Sequence, residues 1–222
     1  MTNSVKDEQN VESASATTLK ELKDTLWKAA DKLRGSMDAS QYKDIVLGLV
    51  FLKYVTDAFD ARRAELRAEG EERGDSEEYI MEDLEDIDAY REKNVFWVDR
   101  IARWTFLRDN SKGKTADANQ EYQSIGKLID NAMKQLMLAN ESLLGTLPTN
   151  FASDSVDQRR LGELIDLFST TRFTAEGPER ARDLLGEVYE YFLEKFARAE
   201  GKRGGEFYTP RPVVRTLVEI LE

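Results

Sequence analysis

The sequence predicts a mainly α-helical protein whose first part is a helical bundle. Three observations lead there. Apolar residues recur at spacings of three and four along most of the 222-residue chain. The run "IVLGLVFLKYV" (Ile45 to Val55) is apolar on nearly every side, which suits a helix at the centre of a bundle rather than on its surface. No stretch carries a convincing β-hairpin signal, and no repeat is present.

Taken in order, residues 1–16 are polar and rich in Ser, Thr, Asn and Glu, which predicts a disordered tail. Thr17 or Thr18 can cap a first helix that carries Leu19, Leu22, Leu26, Ala30 and Leu33 on one face, with Gly35 placed to end it. A second helix starts near Ser40 and holds Tyr42, Ile45, Val46, Leu49, Val50, Leu52 and Phe59. Past Arg62 the glycines at 70 and 74 are expected to break any helix. The acidic stretch there predicts an exposed, mobile excursion around Gly70 to Ser76.

"NVFWVDRIARWTFLRDN" (Asn94 to Asn110) sets Trp97 and Trp104 among Arg100 and Arg103. Aromatics interleaved with arginines can stack on bases. The reading adopted is that both tryptophans anchor the core, because large aromatics are highly buried on average. "SKGKTADANQ" is a turn-rich linker. A clean helix follows, with Tyr122, Ile125, Leu128, Ile129, Ala132, Met133, Leu136 and Met137 on one face. "GTLPTNFAS" (Gly145 to Ser153) is a loop and "RLGELIDLFS" a short helix. "GPERARDLLGEVYEYFLEKFARAEG" makes a strong helix with Pro178 in its first turn, and Leu185, Val188, Tyr189, Phe192 and Phe196 form its stripe. Residues 17–170 thus form a helical domain, and 171–222 begin with a connecting helix.

Composition narrows the chemistry. The chain has no cysteine and no histidine, which excludes disulfides, thiolate metal sites, histidine-based triads and imidazole zinc ligands. Carboxylate sites for magnesium stay open, but no spacing singles one out. The polar, acid-containing N-terminus argues against a targeting signal, and the run around Lys53 is too short to span a bilayer. A soluble, cytoplasmic protein is the expectation. The net charge is −11, unevenly spread. Arg62 to Asp88 holds twelve acidic and four basic residues, whereas Lys195 to Arg215 holds six basic and two acidic. A local basic cluster permits an anionic ligand without requiring one.

The character changes after Gly201. Gly204 and Gly205 allow backbone closed to other residues, and Thr209 is a good N-cap with Pro210 at the first helical position. Pro212 has no N–H, so the Thr209 hydroxyl is expected to cap the amide of Arg211. Val213, Val214, Leu217, Val218 and Leu221 give this last helix an apolar face. A glycine turn, aromatics and a helix N-terminus make an anion site available, though locally a capped helix explains them as well.

"GGEFYTPRPVV" resembles the motif that opens the catalytic domain of the modification (methyltransferase) subunit of type I restriction–modification enzymes. Upstream, "LWKAADKLRGSMDASQYKDIVLGLVFLKYVTDAF", "FWVDRIARW", "IGKLIDNAMKQL", "LLGTLP" and "DLLGEVYEYFLEKFARAEGKRGGEFYTP" resemble the same family, in family order, over most of Leu26 to Leu221. Asp99 departs from the proline expected after "FWV", and "NESLLG" departs from an asparagine–proline opening.

The resemblance implies a helical domain that ends at the start of a truncated α/β, Rossmann-like methyltransferase domain. It implies transfer of a methyl group from S-adenosyl-L-methionine to N6 of adenine in DNA by the intact subunit. Glu206, Phe207, Tyr208, Thr209, Pro210 and Arg211 match the cofactor-binding segment, Thr209 and the helix behind it facing the cofactor carboxylate and Phe207 and Tyr208 walling the pocket. The Asn/Asp-Pro-Pro-aromatic catalytic motif and the glycine-rich strand–turn occur nowhere in these 222 residues, so no catalytic residue is assigned and this stretch alone is expected to be inactive. The implied partners are DNA, the specificity and restriction subunits, and a second copy of the subunit. A stand-alone helical interaction module that keeps a vestige of the motif is the alternative.

Overall fold

The computed structural model describes residues 23, 24, 26–28, 30, 31, 33, 39–115, 122–170, 178–200 and 213. The N-terminal tail, the caps at Thr17 or Thr18, Leu19, Leu22, Gly35 and the segment Glu206–Arg211 lie outside these residues. The protein is mainly helical. Among the described residues, seven α-helices follow the helical residues around Leu26: α1 (Ala39–Arg73), α2 (Glu77–Glu85), α3 (Ile87–Arg91), α4 (Trp104–Asp109), α5 (Ile125–Ala139), α6 (Gln158–Phe168) and α7 (Pro178–Glu200). Short 3₁₀ turns stand at Arg100–Ala102 and Glu141–Leu143.

The apolar run lands where its pattern requires. Ile45, Val46, Leu49, Val50, Leu52 and Val55 are all buried on α1, and α7, α2 and α4 pack around it. A second layer forms where α5 meets α4, α6 and both 3₁₀ turns. Leu128, Ile129, Ala132, Met133 and Leu136 of α5 meet Leu161, Leu164, Ile165 and Phe168 of α6 in one continuous core. Tyr122 does not belong to the α5 stripe; it lies in a strand and is exposed. Side-chain acceptors satisfy the first-turn amides that a helix leaves open: Ser76 for α2, Asp86 for α3, Ser124 for α5 and Asp157 for α6.

The acidic stretch differs from its expectation. It is an ordered helical hairpin rather than a broken excursion. α1 runs through Gly70 and stops only at Arg73, a helix 35 residues long. Gly74 is the true stop. At φ +76 it lets its own amide bond to Glu71 (3.1 Å) and the Asp75 amide bond to Gly70 (3.0 Å), which satisfies the last carbonyls. α2 then folds back on α1, burying Ile80 and Leu84. Gly70 is there for contact: a Cβ on it would meet Ile80 Cγ1 at 2.7 Å.

The linker holds a second correction. Lys114–Thr115 and Tyr122–Gln123 pair antiparallel as a two-rung ladder, β1 and β2. Two rungs are too short to show a period in the sequence.

Candidate functional site

α7 is a described helix that precedes Glu206–Arg211 in the chain. Val188, Phe192 and Phe196 are buried, with Leu185 packed beside them. Tyr189, expected on this stripe, is 41% exposed instead. Tyr191 takes the inward place. Trp27, on the helical residues before α1, lies 5.8 Å from Phe192 and 5.4 Å from Phe196, and Tyr42 of α1 meets Phe196 edge-on at 5.2 Å.

Polar contacts fasten the same face. Tyr191 donates to Asp24 Oδ1 at 2.6 Å, and Lys23 pairs with Glu187 at 2.9 Å. Burial first, then the bond to Asp24, push the Tyr191 hydroxyl far above its ordinary value, so it remains a neutral donor. Lys195 Nζ lies 5.1 Å from the Tyr191 ring and 5.9 Å from that of Trp27, within reach of both faces. Beyond α7, Val213 is helical and 47% exposed, so it is not on a covered apolar face.

The two tryptophans of the arginine-rich stretch serve packing. Trp104 is buried, stacks on Phe168 at 6.2 Å and donates Nε1–H to Ser169 at 2.8 Å. Trp97 stands edge-on to Phe59 (5.4 Å) and Tyr90 (5.2 Å). Arg103 lies over Phe59 at 4.8 Å and donates to the Val98 carbonyl, whereas Arg100 is exposed. Asp99 accepts from the Ile101 amide at 3.1 Å, which caps the 3₁₀ turn.

Several polar residues not singled out in the sequence hold the bundle together. Asp130 is buried and accepts from the amides of Phe151 (2.8 Å) and Ala152 (3.2 Å). Asn140 accepts from the Trp97 amide (3.0 Å) and donates to the Trp97 and Leu136 carbonyls. Gln158 accepts from the Gly126 amide and donates to the Phe151 and Val156 carbonyls. Lys53, 3% exposed, contacts both oxygens of Asp57 at 2.6 and 2.5 Å and lies 5.8 Å from the Trp104 ring. Nearby, burial and then the Asp57 charge push the Asp60 carboxyl above its ordinary range. Arg103, Lys53 and Arg63 pull it back only partly, and the outer side of Asp60 stays exposed.

The hairpin of α1 and α2 uses its four arginines internally. Arg62 pairs with Glu65 and Glu69, Arg63 with Glu85, Arg67 with Glu77, and Arg73 with Asp75 and Asp83. Among the described residues, no group of three or more carboxylates is placed to hold a metal ion, and no helix is long and apolar enough to cross a membrane.

Residues 22–168 match the family described as HsdM N-terminal domain. The chain belongs to that family. Residues 180–222 match a second family, N-6 DNA Methylase, so the HsdM domain is followed in the chain by the start of a methylase domain. A type I restriction enzyme methylase subunit of Methanocaldococcus jannaschii is 36% identical over 210 residues, covering 91% of this chain and 35% of its own length. One from Haemophilus influenzae is 39% identical over 130 residues, covering 54% and 29%. The chain therefore spans about a third of these relatives. A crystal structure of a type I restriction–modification methyltransferase subunit from Streptococcus thermophilus superposes with a TM-score of 0.59 at 23% identity, covering 91% of this chain and 43% of that one. That likeness concerns the fold.

Proposed function

We propose that the intact protein transfers a methyl group from S-adenosylmethionine to the exocyclic N6 of adenine in DNA. In this reading residues 17–170 serve subunit assembly and DNA engagement, and residues 171–222 bring the first cofactor-binding segment. The observation that carries it is the order of the two family matches along one chain, HsdM N-terminal domain and then N-6 DNA Methylase. That second match supports a catalytic subunit over a catalysis-free interaction module. The partners are DNA, a specificity subunit, a restriction subunit and a second copy of this subunit, all in the cytoplasm.

The cofactor supplies an activated methyl group; the work of this chain is to bind and orient. A target base has to leave the DNA stack before its amino group can be reached, so alignment of amine and methyl group governs the rate. Thr209, ahead of Pro210, would cap the last helix and receive the cofactor carboxylate at the helix N-terminus. Phe207 and Tyr208 would wall the pocket, and Glu206 and Arg211 complete the segment. The helical state of Val213 fits a helix that begins at Thr209. No residue of the 222 is given the chemical step.

Calorimetric titration of the intact subunit with S-adenosylmethionine tests the assignment. Thr209→Ala loses a hydroxyl bonded to a charged group, worth about 1.5–3 kcal/mol or at least tenfold in affinity. Loss of the cap costs about 1 kcal/mol of local helix stability. Thr209→Ser restores both. A Thr209→Ala protein that melts slightly earlier yet binds like wild type reduces Thr209 to a cap.

A further inference from the structure

Most cations of the helical domain are spent on carboxylates of the same chain. The four arginines of the α1–α2 hairpin pair within it, Lys23 pairs with Glu187 and Lys53 with Asp57. α5 differs. Lys127 and Lys134 on it are exposed, and among the described residues neither makes an ion pair. They stand seven residues apart, two turns, so both point the same way at about 10 Å along the axis. Asn131, Gln135 and Leu138 complete this outward side, opposite the buried Leu128, Ala132 and Leu136. Asp130 is the one acid of α5. At i+3 from Lys127 and i−4 from Lys134 it could have paired with either. It is buried instead, held by the Phe151 and Ala152 amides. A helix in a chain of net charge −11 thus presents a cationic side with no carboxylate of its own on it.

We propose that the outward face of α5 is a DNA-backbone contact: Lys127 and Lys134 meet phosphates, and the amides of Asn131 and Gln135 donate to phosphate oxygens. This rests on the DNA engagement proposed above and names the surface for it. The overall negative charge does not forbid the contact. Screening confines each exposed charge to about 10 Å at 0.1 M salt, so the local face decides. Such a contact holds the duplex in place and reads no sequence.

The test uses the intact subunit assembled with its specificity subunit, and a fluorescein-labelled 30-base-pair duplex titrated at several salt concentrations. Each phosphate contact contributes about 0.9 to the slope of log affinity against log salt. Lys127→Gln with Lys134→Gln should therefore make the slope shallower by about 1.8 and weaken binding roughly tenfold or more at 0.1 M salt. Lys127→Arg with Lys134→Arg should keep the wild-type slope. Lys28→Gln is the control, an exposed cation on the helical residues before α1, and it should change neither quantity. An unchanged slope in the double glutamine variant, or an equal change in Lys28→Gln, overturns the α5 surface while leaving DNA engagement intact. A double variant that no longer co-elutes with the specificity subunit overturns it too, since the face then meets an acidic protein surface. A wild-type complex that binds no duplex even at low salt overturns both readings.

Discussion

Replacing Gly70 by alanine sets two known effects against each other. In an exposed helix interior the exchange gains about 0.5–1 kcal/mol, because glycine loses more backbone freedom on folding. Gly70, however, faces α2, and its new Cβ would stand 2.7 Å from Ile80 Cγ1 and 3.4 Å from Cδ1. Cγ1 is bonded directly to the Ile80 Cβ, so it moves only if χ1 turns, and β-branching makes that angle stiff. The alternative is to push α2 off α1, which pulls on the Asp75–Gly70 bond closing the helix. Overpacking of this kind costs about 1–3 kcal/mol. The clash wins, and Gly70→Ala should lower stability by about 1 kcal/mol, or about 2–4 °C in a chain of this size. Unfolding followed by far-ultraviolet circular dichroism reads it. Ile80→Ala alone should cost about 2–5 kcal/mol, and adding Gly70→Ala to it should be stabilising, since the new methyl then occupies vacated space. Gly70→Ala that raises the melting temperature on its own, or effects that simply add, would refute the close contact.

Asp130→Ala leaves the buried Phe151 amide without an acceptor and should cost about 2–3 kcal/mol, with Asp130→Asn less harmful; an unchanged urea midpoint would count against the role given to Asp130. Asp60→Asn should stabilise the protein at pH 7 by about 0.3–0.5 kcal/mol, a screened figure for a partly exposed group. The sign follows from the raised carboxyl: its contribution is fully present below the ordinary value of 3.8 and is lost as pH rises through the folded-state value. The advantage of Asp60→Asn should therefore vanish near pH 3.5, and a variant less stable than wild type at pH 7 would show that Arg103, Lys53 and Arg63 dominate instead. Residues 1–222 alone should leave adenine-containing DNA unlabelled by methyl-labelled S-adenosylmethionine; labelling above a boiled control would place the chemistry within this stretch.

What was legible from the sequence was periodicity. α5, α6 and the centre of α1 bury the residues their spacing selects, because a helix repeats its face every 3.6 residues whatever its neighbours. The choice between Tyr189 and Tyr191 was not legible. Both flank the stripe of Val188, Phe192 and Phe196, and only the presence of Asp24 and Trp27 on one side decides which turns inward. The glycines of the hairpin divide the same way. Gly74 ends a helix through local backbone geometry, which sequence signals; Gly70 admits a neighbour ten residues on, which they do not. Asp130 and Asn140 act on loops 21 and 43 residues away and Gln158 reaches the Gly126 amide of α5, 32 residues back, so no local pattern marks them. The expected cofactor segment, Glu206–Arg211, lies outside the described residues.

α1 also has a mechanical meaning. Tyr42, which touches Phe196 of α7, and Gly70, which touches α2, lie on one uninterrupted helix, about 42 Å apart at 1.5 Å per residue. A rod of that length acts as a lever. A tilt of about 5° at one end carries the other through about 4 Å, comparable to the width of a side chain. Any rigid tilt of α1 would therefore register both at the acidic tip and at the seat of α7.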